Sequence, residues 1–177
     1  MAFTQEDGTG VTGANSYVSI AEADTYWLTD RNNDATWIAS YTAQKQEVLI
    51  KATEYLDASV RSLKGGWVGT KKTQDQGLDW PRYDATDENG FPLSSTAVPQ
   101  RVKDAVFVLA KAALSAELLP SQDRGNAIKL ERSKVGSLEK ETEYFDWAPS
   151  QKTYDLVWRL VSGIVRGGGP TRELLRA

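Results

Sequence analysis

The segment that follows Val98-Pro99 constrains the fold most, because apolar residues cover most of its circumference if it is helical. Proline suits the first turn of a helix, where its missing N–H leaves no hydrogen bond unmade. The apolar positions, spaced as in a helix that runs to about Leu119, are Val102, Ala105, Val106, Leu109, Ala112, Ala113 and Ala116, joined by Val108, Leu114 and Leu118. Such a helix is packed on several sides. We therefore predict a mainly α fold, a small helical bundle around a central alanine-rich helix.

Three further helices are predicted to surround the central one. The first covers about residues 20–31 and is preceded by Ser19, with Glu22 three positions later, which is a capping-box pattern. The second covers about residues 42–59, where apolar residues recur at spacings of three and four. The third covers about residues 151–165. These segments predict one helical domain over residues 16–166.

The remaining segments are predicted not to be helical. Residues 65–98 place glycine, proline and asparagine too closely for a long helix but carry aromatic residues, so we expect a long ordered loop. Residues 127–145 alternate around a central glycine and favour a small β-hairpin, which could pair between subunits. Residues 1–15 lack periodicity and predict a flexible N-terminal arm. Residues 167–177 begin with three glycines and a proline and predict an amphipathic tail on a hinge.

The composition argues against an enzyme. The 177 residues include no histidine and no cysteine, and no phosphate-binding loop, nucleotide fingerprint or nucleophile elbow occurs. Acidic residues do cluster, but nothing in their spacing holds them on one rigid surface, so we interpret them as solvated: Asp84 with Asp87, and Glu139 with Glu141 and Glu143. We predict no catalytic residue, no cofactor and no metal site. The absence of a long apolar run or signal peptide predicts a soluble, unexported protein.

A Trp-Pro-Arg step lies in the long loop, and we interpret it as a connector that holds two parts of the fold, or two subunits, at a set angle. Trp80 has a large apolar ring, Pro81 restricts the backbone, and Arg82 carries a planar cation with five donors. Together with Trp67, these residues are predicted to have a structural role or to lie in a subunit interface. Arg82 would meet a helix-end carbonyl or a neighbour's carboxylate rather than DNA.

A second reading of the same loop is contact with single-stranded DNA. Lys71 and Lys72 could neutralise phosphates while Trp67 and Trp80 stack on bases. Against this reading, the formal net charge is −3 and the sequence has no basic run of five or more residues. We therefore expect the tryptophans to be buried or in an interface.

Several short segments occur in an order that is typical of one protein family. They are residues 15–19 (Asn-Ser-Tyr-Val-Ser), Ala21, Asp24 and Tyr26, residues 52–57 (Ala-Thr-Glu-Tyr-Leu-Asp), residues 67–69 (Trp-Val-Gly), residues 76–82 (Gln-Gly-Leu-Asp-Trp-Pro-Arg) and Val98-Pro99. In these segments, within roughly residues 15–145, the chain resembles the head-to-tail connector proteins of tailed bacteriophages, also called adaptor or head-completion proteins. Related sequences are sometimes labelled DnaT-like single-stranded-DNA-binding proteins.

The resemblance implies a structural subunit of the virion neck, made in the host cytoplasm. Twelve copies would form a ring beneath the portal protein and offer their other face to a stopper or tail-completion protein. Double-stranded DNA would pass through the ring without sequence-specific contact. The tail would bind the portal through Pro170, Arg172, Leu174, Leu175 and Arg176. The alternative that the label carries is a DnaT-like single-stranded-DNA-binding protein.

Overall fold

The computed structural model describes residues 2–31, 33–63, 65–118, 128–134, 139–144 and 154–166, with the backbone alone for 128–134 and 139–144. The chain divides into two compact units. One comprises Met1–Leu118 and Asp155–Ala177, and the other is Leu119–Tyr154. The helices of the first unit and the strand pair of the second confirm the mainly α fold with a small hairpin.

Helices account for most of the regular structure. They are α1 Ile20–Asp24, which continues as a π-helical turn Thr25–Asp30, then α2 Ala35–Ile38, α3 Thr42–Ser62, α4 Gln100–Ser115, and α5 Asp155–Val161, which continues as a 3₁₀ turn Ser162–Ile164. Two short strands, β1 Thr70–Lys71 and β2 Arg82–Tyr83, pair antiparallel within the long loop. In the second unit β3 Ile128–Lys134 pairs antiparallel with β4 Glu139–Tyr144.

Helix α4 is central, as its composition predicts. It packs against α3, α5 and α2, and its buried residues are Val102, Ala105, Val106, Phe107, Leu109 and Ala110. Pro99 is the N-cap residue, just before the first turn. The helix ends at Ser115 rather than near Leu119, because Ala116 adopts an extended conformation with φ −158°.

The first predicted helix begins as expected and then changes its winding. The Ser19 hydroxyl accepts from the Glu22 N–H at 3.0 Å, and the Glu22 carboxylate accepts from the Ser19 N–H at 2.8 Å, which completes the capping box. From Thr25 the turn widens to a π-helix. Its buried Tyr26 stacks on Phe107 of α4, with the ring centroids 4.6 Å apart.

The N-terminal segment, which is predicted to be a flexible arm, is held by hydrogen bonds in the structure. The Glu6 side chain is buried and accepts from the backbone amides of Gly8, Gly10 and Val11 at 2.8–2.9 Å. The Glu6 N–H donates to the Ser16 carbonyl at 2.8 Å. Gly8 and Gly10 have positive φ, which lets the chain curl around one carboxylate. The order therefore comes from local hydrogen bonds, which have no periodic signature in the sequence.

The predicted hairpin over residues 127–145 is confirmed in outline. Its strands pair with Glu131 opposite Thr142 and Ser133 opposite Lys140, and the register shifts between Ile128 and Leu130. Each strand therefore has its partner within the same chain. Pairing between subunits stays a prediction.

Candidate functional site

The two tryptophans of the long loop lie inside the protein. Trp80 is 0% exposed and Trp67 is 3% exposed, and their rings meet edge to face with centroids 5.8 Å apart. Trp67 also forms a backbone bridge with Val165, after the last helical turn. The Trp80–Pro81 peptide is cis. The expected ordered loop is therefore present, and neither indole is offered to solvent as a surface on which a base could stack.

Arg82 binds the backbone of its own loop. Its Nε donates to the Val68 carbonyl at 2.7 Å, its Nη2 to the Gly69 carbonyl at 2.9 Å and its Nη1 to the Asp79 carbonyl at 3.1 Å. Burial lowers the pKa of the guanidinium, although Asp79 opposes that effect. Arg82 thus has a structural place within one chain. Its acceptors are loop carbonyls, not the helix-end carbonyl or the neighbouring carboxylate that the sequence suggests.

A buried polar cluster of Tyr17, Asp57 and Asp79 joins the loop to α3 and to the segment before α1. The Tyr17 hydroxyl lies 2.7 and 2.8 Å from the two carboxylate oxygens of Asp57. It accepts from the backbone N–H of Asp79 at 3.0 Å and of Trp80 at 3.2 Å. One phenol can donate once and accept twice, so the hydroxyl is fully used.

Burial and neighbouring charges raise the pKa values of two side chains in this cluster. Burial, together with the neighbouring charge of Asp79, raises the pKa of Asp57 to about 7. Burial, together with Asp57, also raises the pKa of Tyr17 well above its usual value. Arg61 covers the outer side, with Nε 2.8 Å from Asp79 Oδ2 and Nη2 3.5 Å from Asp57 Oδ2. The cluster is thus built to hold the loop in place, and its acids are turned away from solvent.

The lysines suggested for DNA contact have partners within the loop and the N-terminal segment. Lys72 Nζ donates to the Gly8 carbonyl at 3.0 Å, and Lys71 Nζ donates to the Gln76 carbonyl at 3.3 Å. Lys71 keeps part of its side chain in solvent. Tyr83, opposite Thr70 in the strand pair, is an exposed aromatic residue that the sequence did not single out. Lys71 lies opposite Arg82, so its side chain and that of Tyr83 point to opposite faces of the strand pair, and Lys71 Nζ is 3.9 Å from Asp79 Oδ1. The two side chains therefore do not form one continuous surface.

The other predicted positions are surface residues or lie outside the described residues. The tail positions Pro170, Arg172, Leu174, Leu175 and Arg176 belong to the second group. Of the acidic residues, Asp84 is exposed, whereas Asp87 accepts from the backbone of its own turn. For Glu139, Glu141 and Glu143 the described structure is the backbone of β4.

The described residues offer neither a metal-binding group nor a membrane-spanning helix. They contain no group of three or more acidic, cysteine or histidine side chains arranged to hold a metal ion. No helix among them is long and apolar enough to cross a membrane.

The polar cluster was not identified from the sequence. Its tyrosine and its two aspartates are far apart in the chain, and each has an ordinary local context. Asp57 lies on the amphipathic helix α3, at the boundary between its apolar and polar faces, where an acidic residue is ordinary. All three residues lie within the short segments 15–19, 52–57 and 76–82 that the sequence analysis singled out.

Comparison with known proteins agrees with the DnaT-like label. No curated protein and no solved structure matches the chain significantly. One sequence family matches over residues 1–177, and its description is "Putative DnaT-like ssDNA binding protein". Since the match covers the whole chain, the protein belongs to this DnaT-like family.

Proposed function

We propose that the protein is a structural subunit that forms a ring between the portal and the tail or stopper of a tailed bacteriophage, joining the head to the tail and lining the DNA exit channel. The observation that carries the proposal is that the segments of the resemblance converge in space. Tyr17, Asp57 and Asp79 come from three of them and form one buried cluster. Trp80 and Arg82 complete the loop beside it. The resemblance therefore lies in the framework of the fold.

The chemistry of the framework suits a structural part. Its ionisable groups are tied to one another or to backbone groups, and its aromatic rings are buried. A ring subunit needs two different surfaces for its neighbours, and exposed apolar side chains are candidates for them. Phe91 and Leu156 are exposed apolar side chains that fit this role.

The proposal is tested by mixing the purified protein with portal rings and imaging the complexes by electron microscopy. We expect a second ring on one face of the portal. A variant lacking residues 168–177 tests the tail, with circular dichroism as the control that it folds. We expect the truncated protein to be folded and to lose portal binding. Full binding by that variant would overturn the tail assignment, and the absence of any second ring with the full chain would overturn the connector.

Single-stranded DNA binding is the second candidate, and the description of the family favours it. Lys71 and Tyr83, on opposite faces of the strand pair, would be the cationic and the aromatic contact, since Trp67 and Trp80 are covered. Fluorescence anisotropy with a labelled oligonucleotide, repeated across salt concentrations, tests this function. Binding that weakens steeply with salt and is reduced by Lys71→Ala or Tyr83→Ala would support it. Unchanged anisotropy at the highest protein concentration would exclude it and leave the connector.

A further inference from the structure

A cavity lies between the π-helical turn, α4 and α5. Its volume is about 560 Å³, and its walls are largely apolar. The residues that matter here are Trp27, Val108, Ala112 and Leu156 on the walls, with Arg31 and Lys111 at the rim. Leu156 is 58% exposed although it lies in the first turn of α5, the helix that packs on α4. The cavity therefore offers apolar surface to solvent.

The rim of this cavity carries two cations. Arg31 donates to the hydroxyl of Tyr26 at 3.0 Å and lies 4.8 Å from the centroid of that ring. Lys111 pairs with Asp34 and lies 4.8 Å from the centroid of the Trp27 ring. The hydrogen-bond partner of Arg31 is thus a neutral phenol, and the carboxylates of Asp104 and Asp30 act on its charge through space. A cation bonded to a neutral group can still attract a carboxylate from outside.

An exposed aromatic side chain, Phe91, projects from another part of the same unit. Phe91 is 68% exposed, at the end of a tight turn. The Asp87 carboxylate accepts from the backbone N–H of Asn89 and of Phe91 at 2.9 Å, and the Asp87 N–H donates to the Phe91 carbonyl at 3.0 Å. These bonds fix the backbone at Phe91, and its ring lies in solvent. The turn, residues 84–91, contains three acids and no base.

Phe91 does not fill the cavity of its own chain. Its exposure shows that the ring lies in solvent. The turn is anchored at the start of α4, where Glu88 makes a two-pronged ion pair with Arg101 at 2.5 and 2.7 Å. The cavity rim at Lys111 is ten residues further along that helix, or about 15 Å at ~1.5 Å per residue. The projection and the cavity are therefore separate surfaces.

We propose that Phe91 of one copy inserts into this cavity of a second copy. The ring would cover the apolar walls, and the carboxylate of Asp87, which accepts from the Phe91 N–H, would approach Arg31. Because the two surfaces differ, each copy would use one surface on each side, which is a head-to-tail contact that closes into a ring or extends as a filament. The inference rests on the proposed connector function only for ring closure; the contact itself needs no portal.

The test uses two variants that each lack one surface. Phe91→Ser removes the projection, and Leu156→Glu places a carboxylate in the cavity. Each alone is expected to lower the association constant at least about tenfold in sedimentation velocity, as loss of a buried aromatic contact implies. An equimolar mixture is expected to form a heterodimer that does not grow. Ile38→Ser, at an exposed apolar side chain outside both surfaces, is the matched control and should associate like wild type.

If the contact is too weak for sedimentation velocity, disulfide cross-linking can detect it. The chain has no native cysteine, so Phe91→Cys mixed with Leu156→Cys can be oxidised without competing thiols. We expect more cross-linked heterodimer than with Phe91→Cys and Ile38→Cys. Equal yields, or wild-type association by Phe91→Ser, would overturn the contact. If Phe91→Ser still forms a ring on the portal, the contact is overturned and the connector function stands. If the two variants form the heterodimer but the protein does not bind the portal, the contact stands and the connector function is overturned.

Discussion

Replacement of Asp57 by asparagine tests the physical account of the buried polar cluster. In the folded protein, burial raises the pKa of this carboxyl to about 7, from an ordinary value of 3.8. A raised pKa means that the neutral carboxyl is favoured by folding. Its contribution to the free energy of unfolding is therefore complete below about pH 4 and is lost as the pH rises through about 7.

The magnitude follows from the two pKa values. At pH 5 the folded carboxyl is protonated whereas the unfolded one is ionised, and at pH 8 both are ionised. Linkage then gives a fall of about 2–3 kcal/mol in the free energy of unfolding between pH 5 and pH 8. Glu22 and Asp34 have lowered pKa values, and their contributions are lost only below about pH 4. They do not interfere in this window.

Asparagine resembles the neutral acid but does not titrate, so Asp57→Asn should lose this pH dependence. The absolute stability of the variant should fall, because Asp57 accepts from the Tyr17 hydroxyl and from the Asp79 N–H on different oxygens and an amide has one oxygen. The difference between pH 5 and pH 8 is free of that offset. Urea unfolding, followed by tryptophan fluorescence at several pH values, measures it.

A matched control lies on the same helix. Glu47 is an exposed acid of α3 that pairs with Lys51, and Glu47→Gln should keep the wild-type dependence. A wild-type free energy of unfolding that stays flat or rises from pH 5 to pH 8 would refute the reasoning. The same conclusion follows if Asp57→Asn keeps the wild-type slope.

Three further substitutions address the loop and the N-terminal segment. Trp80→Ala should cost about 3–5 kcal/mol in thermal or urea unfolding, because the ring is fully buried; a loss below about 1 kcal/mol would contradict its place in the core. Arg82→Lys should cost about 1–3 kcal/mol, since an ammonium cannot reach three carbonyls in a plane, and unchanged stability would show that those bonds are dispensable. Glu6→Ala should speed amide hydrogen exchange at Gly8 and Gly10, which lose their acceptor, whereas wild-type exchange rates would exclude the carboxylate as the source of order.

The helices and the hairpin could be predicted because their signals are local. The apolar pattern after Pro99 predicts α4 and its central position, and the Ser19 and Glu22 pair predicts the start of α1. Boundaries were less accurate, since α3 extends to Ser62 and α4 ends at Ser115. Propensity varies smoothly along the chain, whereas the end of a helix depends on what packs against its last turn.

The N-terminal segment and the polar cluster show what a local pattern misses. Glu6 orders its segment by accepting three backbone N–H groups, and this arrangement leaves no periodicity. Tyr17 meets Asp57 across 40 positions of the chain. A single sequence does not reveal such a pair, because each partner is ordinary until the fold brings them together.

By itself, the sequence determined the helical class, the central helix, the hairpin and the absence of histidine and cysteine chemistry, since each depends on composition or on neighbours a few residues away. The tertiary structure decided the rest. It buried Trp67 and Trp80, directed Arg82 to three carbonyls of its own loop, and left Phe91 exposed. Which face of a loop is covered depends on the free energy of packing against distant elements, and that quantity exists only once the chain has folded.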